Sequence, residues 1–479
     1  MTISLLPEEL LAEILSYFEL CPDHHLEGFN PPLAEAHQEE ERRKLRTLRR
    51  LCLVNKRVSR IASPVLYNTV DFELLNSSAY QPPAFLRTLL ARPNAQSLVH
   101  TLRFPRWDTG IPERTSVPWL RDLTVQGVRT IPMSSGLREF FLQECDMAND
   151  CELQQIVLGL ILYVCVDLEV WRLDDLFSAV SGDSTVSADS VLPVAKVIND
   201  ARGEPADEGH RLPLQRLRHV LTGRSIARDM DDNKDLALWS PLLSLPRLER
   251  WTDFNGICAR NTVFQSVNPA SFNIELVNAH VTGDGLAQLL QAFPRLENLS
   301  VFIEEYFEQH EPRELQYEHL GQALEELGTE MRTLVLRPSR DNPDWSANAR
   351  PRTCLGSLEK LTRLRSLSIG LEMVVAETES DVGWLVQPLS DLLPASLEIL
   401  VFNDCLYYGY FPPSRCFRLF DDALLQVLGS RRLCRLHTIY LDRSGPFRQT
   451  DDMHDLHWRI EYRTDPDTIV LSRTGKLMS

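Results

Sequence analysis

Apolar positions along this chain follow two different periods, and the change between them divides it. Over the first seventy residues the period is helical. Leu10, Leu11, Ile14, Leu15 and Phe18 recur at steps of three and four and share one side of a helix. Pro7 suits an early helical position because its missing N–H would be unpaired there anyway, and Glu8 and Glu9 favour the positive end of the helix dipole. A second amphipathic segment runs from Leu45 to Tyr67, where Leu45, Leu48, Leu51, Cys52, Val58, Ile61, Ala62 and Val65 keep helical spacing between arginines and lysines. Two or three short helices cannot bury that much apolar surface among themselves, so part of it is expected to meet another protein.

Beyond this segment the pattern becomes apolar-x-x-apolar-x-apolar. It returns at Val99/Leu102/Phe104, Leu137/Phe140/Leu142, Leu168/Trp171/Leu173, Leu296/Leu299/Val301, Met331/Leu334/Leu336, Leu364/Leu367/Ile369, Leu397/Leu400/Phe402 and Leu436/Ile439/Leu441. Degenerate copies sit at Leu217/Val220 and Leu248/Trp251. The step from Met331 to Leu364, and again from Leu364 to Leu397, is 33 residues; others differ. Helical patterns fill the gaps at Leu286–Phe293, Leu320–Leu327, Leu385–Leu393 and Leu419–Leu428. Strand pieces alternating with helices predict an α/β solenoid, in which no unit is stable alone but stacked units bury one continuous core. An ordinary α/β domain with parallel strands shares the alternation. The solenoid is favoured because Pro294-Arg295-Leu296-Glu297-Asn298-Leu299 is echoed in residue type by Thr362-Arg363-Leu364-Arg365-Ser366-Leu367.

The expected organisation is a helical domain at 1–70, a repeat region at 71–445 and a cap or tail at 446–479. In the last of these, residues 457–462 read as a terminal strand. Insertions are expected at the acidic 19–41, at the Ser, Asp, Gly and Pro-rich 178–213 and at 337–353.

Leu6-Pro7-x-Glu9-Leu10-x-x-x-Ile14-Leu15, followed by Leu53-Val54-Asn55-Lys56-Arg57-Val58-Ser59-Arg60-Ile61-Ala62-Ser63-Pro64-Val65-Leu66-Tyr67, resembles the F-box, in the form found in fungal F-box proteins. The resemblance covers about residues 3–70. Asn55 stands where the family often has Cys, Val58 where it often has a bulky aromatic, and 19–41 is an insertion between the two halves. The resemblance implies docking onto the Skp adaptor of a cullin-RING ubiquitin ligase through Leu6, Pro7, Leu10, Ile14, Leu15, Leu51, Val54 and Val58. The repeats, which resemble irregular leucine-rich repeats, would hold an unknown target protein. The standard repeat places Asn or Cys three positions after its third apolar residue; Cys145 and Cys405 fall there, whereas Trp107, Glu304, Ser339, Glu372 and Ser444 occupy that place in other copies. The same apolar residues of the first segment could instead form only the core of a helical domain.

Composition narrows the function classes. Among 479 residues the net charge is −17, which argues against general affinity for nucleic acid or an anionic membrane. Ten cysteines show no C-x-x-C pairing, and Glu8 and Glu9 occupy the place of a signal peptide's basic region, so cytoplasm or nucleus is the expected compartment. The longest apolar run, Ile156–Val166, is too short to span a bilayer. No phosphate-cradling, nucleophile-elbow or zinc-protease motif occurs, so no catalytic residue, cofactor or metal is assigned. His24-His25 and the cluster Asp451, Asp452, His454, Asp455, His457 read as solvated turns. The basic run Arg42, Arg43, Lys44, Arg46, Arg49, Arg50, Lys56, Arg57, Arg60 reads as a solvated helix face, or as steering toward an acidic partner such as the family's adaptor.

Overall fold

A computed structural model describes residues 6–20, 31–72, 74, 81–104, 119–148, 150–174, 193–202, 212–223, 242–254, 257–258, 272–303, 317–338, 354–370, 373–377, 384–386, 389–403, 413–442, 457–464 and 467–474. The chain is mixed α/β with mostly parallel strands and separates into two compact units. One comprises Met1–Asp229 and Leu238–Trp251, the other Met230–Ala237 and Thr252–Ser479.

The first unit opens with α1 (Glu8–Ser16), α2 (Pro31–Cys52) and α3 (Lys56–Asn68). Leu15, Leu48 and Ala62, one from each helix, form a small core, with Phe18, Leu51, Ile61 and Val65 packed around it. The segment expected to be an insertion is in part helix, because α2 begins at Pro31; the Leu45–Tyr67 segment comprises the end of α2 and most of α3. The break falls at Leu53-Val54-Asn55. There the Asn55 side chain accepts a 2.8 Å hydrogen bond from the Val58 N–H and so satisfies one of the unpaired donors at the start of α3.

Parallel strands follow in sequence order: β1 (Thr69–Asp71), β2 (Thr101–Arg103), β3 (Val170–Asp174) and β4 (His219–Gly223), with β5 (Arg250–Phe254) at the boundary of the unit. Between them lie α4 (Gln81–Ala91), α5 (Pro93–Gln96), α6 (Leu120–Thr130), α7 (Ser135–Met147), α8 (Asp150–Val164) and α9 (Pro193–Ala201). Register stacks Val70, Leu102, Trp171 and Val220 into one buried column. Trp251 is also buried, its indole N–H donating 3.0 Å to the Thr222 hydroxyl.

Two further expectations fail in this unit. Leu137/Phe140/Leu142 is not a strand: it lies in α7, where Leu137, Phe141 and Cys145 are buried at helical spacing. Cys145 therefore packs a helix and does not close a repeat turn. Residues 193–201, inside the expected insertion 178–213, form α9, with Val194, Val197 and Ile198 buried.

In the second unit the strands are β6 (Ile257–Cys258), β7 (Phe272–Val281), β8 (Leu296–Ile303), β9 (Thr333–Pro338), β10 (Ser366–Gly370), β11 (Val375–Glu377), β12 (Trp384–Val386), β13 (Ile399–Asn403), β14 (Thr438–Asp442), β15 (Trp458–Thr464) and β16 (Asp467–Arg473). Helices α10 (Gly283–Ala292), α11 (Tyr317–Leu327), α12 (Leu389–Leu392) and α13 (Pro413–Gly429) intervene. β7-β8-β9-β10-β13-β14 are adjacent in that order and parallel, while β6 pairs with β7, and β11 with β12. Two columns of buried side chains cross this sheet: Ile274, Leu299, Leu334, Leu367, Leu400 and Ile439, then Leu276, Val301, Leu336, Ile369, Phe402 and Leu441. These are the second and third apolar residues of each repeat, now lying side by side. Strand β7 was not expected. Residues 385–393 give only the short α12, with Leu385 in β12. The tail is a hairpin: β16 lies antiparallel on β14, and β15 on β16.

Candidate docking surface

Most large apolar side chains of the described residues are buried; seven stand out as exposed, and five of these belong to the N-terminal helices. Leu10 (46%), Ile14 (41%) and Tyr17 (76%) line the outer side of α1, and Leu53 (85%) and Val54 (55%) occupy the α2–α3 turn. The stripe follows from 3.6-residue geometry. Positions 10, 14 and 17 fall together, whereas Leu11, Leu15 and Phe18 lie about 100° further round the helix, where Leu11 is buried and Leu15 and Phe18 belong to the small core.

The turn and the start of α1 are held together. Arg57 donates 2.8 Å to the Leu6 carbonyl and lies 3.4 Å from the Glu8 carboxylate, which also accepts from Arg60. These half-exposed ion pairs add little stability but fix where α1 begins relative to α3. On α2 and at the start of α3, Arg43, Arg49, Arg50 and Lys56 are exposed and enter no ion pair among the described residues. Other members of the basic run are paired: Arg46 with Glu39 at 3.2 Å, Lys44 with Glu41 at 2.7 Å. The N-terminal helices thus carry an apolar stripe, with acidic Glu9 and Glu13 exposed on α1 and the unpaired cations on α2 and α3.

The residues expected to dock divide in the structure. Pro7, Leu10, Ile14 and Val54 are exposed, and Leu6 is half-buried. Leu15 (2%) and Val58 (1%) are buried, and Leu51 packs against the core, so in the free chain these three lie beneath the exposed residues. Leu15 and Leu51 turn inward because α1 and α2 both pack on α3, and Val58 because it faces inward in the first turn of α3. Tyr17 and Leu53 join the face instead. For Tyr17 the signal was in the sequence, at i+7 from Leu10; for Leu53 it was not, since nothing showed that α2 ends one residue earlier.

The second unit offers another polar feature, on the opposite side of its sheet from the leucine columns. The Arg337 guanidinium donates to the Ser368 hydroxyl at 3.2 and 3.3 Å, the Asn403 amide donates to the same oxygen at 2.6 Å, and Arg337 also lies over the Phe302 ring. In the first unit the matching side holds a buried ion pair, Arg103 to Asp71 at 3.3 Å. A cavity of about 590 Å3 lies among α4, α5, α6 and the end of α8, lined by Arg87, Leu90, Leu123, Ile131 and Tyr163. The Tyr163 hydroxyl donates 3.2 Å to Asp200, and burial together with that carboxylate raises its pKa. Cys405, His24-His25 and residues 451–455 lie outside the described residues, and among those described no cluster of His, Cys, Asp and Glu is arranged to hold a metal ion. No described helix is long and apolar enough to cross a membrane.

No protein-family model matches the chain, and no curated protein is significantly similar to it.

Proposed function

We propose that this chain is a non-catalytic substrate-recognition subunit of a Skp-cullin-F-box ubiquitin ligase in the cytoplasm or nucleus. On this reading the N-terminal helices are an F-box that docks the Skp adaptor, and the strand-helix units are irregular leucine-rich repeats that hold a target protein. The observation that carries it is the concentration of exposed Leu10, Ile14, Tyr17, Leu53 and Val54 on a helical segment whose remaining apolar residues are already packed. Isolated exposed leucines are ordinary; a stripe along one helix joined to a neighbouring turn is what a partner surface requires. The unpaired cations of α2 and α3 would favour approach of an acidic adaptor. In-register columns of repeat residues support the solenoid reading of the rest. The mechanism is proximity: a target held near a charged ubiquitin-conjugating enzyme presents its lysines at high effective concentration, and this chain supplies no reacting group.

Leu10→Asp with Ile14→Asp tests the docking face. Both side chains are exposed, so the monomer should fold with an unchanged melting temperature, while co-purification with a Skp-family adaptor is abolished because the complex would bury unpaired carboxylates. Undiminished co-purification would refute the assigned surface. A repeat scaffold with no part in ubiquitin transfer is the alternative; a reconstituted ubiquitination reaction with the chain's own bound proteins separates the two.

A further inference from the structure

Among the described residues the strand order of the second unit ends at β15, a seven-residue strand paired on one side only, with β16. The Thr474 N–H donates 2.8 Å to the His457 carbonyl, so residue 457 faces β16. In an antiparallel ladder the facing residues alternate, and the main-chain groups of Trp458, Ile460 and Tyr462 therefore point away from β16, where no described strand receives them. Arg459, Glu461 and Arg463 carry charge on one side of the strand; Trp458, Ile460 and Tyr462 lie on the other. Trp458 is buried, its indole N–H donating 3.2 Å to the Leu428 carbonyl, but Tyr462 is half-exposed.

We propose that β15 is a self-complementary edge that pairs antiparallel with β15 of a second copy of this chain, about a two-fold axis through Ile460. In that register Ile460 faces Ile460 and Trp458 faces Tyr462, so the outward N–H and C=O groups of each facing pair can bond reciprocally. Arg459 of each copy then stands directly across from Glu461 of the other, and both pairs are of opposite sign. Shifting the axis by one residue to Glu461 sets Glu461 against Glu461 and Arg459 against Arg463, all like-charged. Charges on an edge strand commonly prevent pairing, and a run of one sign would do so here; alternating signs instead permit one register and penalise its neighbour. The half-exposed Tyr462 ring would be covered by the aromatic end of the opposing strand. This inference is independent of the N-terminal docking face.

Sedimentation of the full chain across a concentration series tests it. The wild type is expected to show a reversible monomer-dimer equilibrium in the micromolar range, as suits a small interface. Arg459→Glu and Glu461→Arg should each weaken it by about tenfold or more, since two symmetry-related pairs become like-charged, and the double variant should restore it. On mild oxidation Ile460→Cys should give a cross-linked dimer, because directly opposed residues of a bonded pair lie about 5.5 Å apart, within disulfide reach. Glu461→Cys, in the same cysteine background, should not. A chain that stays monomeric throughout overturns the proposal. So does a dimer indifferent to both charge reversals, or one in which Glu461→Cys cross-links as readily as Ile460→Cys.

Discussion

Gly321 has no side chain because there is no room for one: a Cβ built there would meet the Leu355 carbonyl oxygen at 1.5 Å. The oxygen belongs to backbone, so relief requires moving α11 or the Leu355 segment. Gly321→Ala should accordingly lower the unfolding free energy by about 2 kcal/mol or more, read as a lower urea midpoint at unchanged m-value; a midpoint equal to wild type would show that the segment yields freely. Cysteines differ for equally local reasons. Burial pushes the Cys145 thiol up to about 11 and raises Cys165, whereas Cys434 is exposed. At pH 8 a thiol reagent should modify Cys434 in the folded chain, with Cys145 and Cys165 reacting only on unfolding. Because the folded state holds the Cys145 proton more tightly than the unfolded chain, its contribution is fully present below the ordinary thiol range and is lost as pH rises toward 11. Rapid labelling of Cys145 in native protein would contradict this picture. At the docking face, the division of Leu10 and Ile14 from Leu15 was only half-visible in the sequence: periodicity groups residues by angle but does not say which hundred degrees another helix will cover.

Elements were more legible where a side-chain pattern and a stacking partner agreed. Strands β8, β9, β10, β13 and β14 fall on the expected repeat residues because each needs its alternate leucines buried against the next. Leu367 sits mid-column with Leu334 and Leu400 on either side, so Leu367→Ala should cost about 2–5 kcal/mol, while Ser366→Ala beside it should stay within about 0.5 kcal/mol. Equal effects of the two would remove the columns as the source of stability. Leu137/Phe140/Leu142 misled because apolar residues three and five apart fit both a strand stub and a helix; the Ser134 hydroxyl, accepting from the Leu137 N–H, caps α7 and decides for helix. Strand β7 was overlooked because no apolar residue stands three before its first pair. The start of α2 was hidden because acidic, Pro-led residues read equally as a loop or as a first helical turn.

At the scale of the whole chain, the proposal gives one role to the first seventy residues and another to the rest. The division at Trp251/Thr252 left no mark in composition, since the repeat pattern runs on both sides of it. A target surface was not legible at all: polar residues such as Arg337, Ser368 and Asn403 come together only once their strands are in register. The docking face is the part on which the functional account turns, and it would bury a stripe the chain itself leaves exposed. Amide hydrogen exchange of the full chain, with and without a Skp-family adaptor, tests this most directly. The account predicts slowed exchange concentrated in α1 and the turn at residues 53–57, with the strands of the second unit unchanged. Adaptor binding that protects other segments and leaves Leu10 to Tyr17 exchanging at the free rate would contradict it.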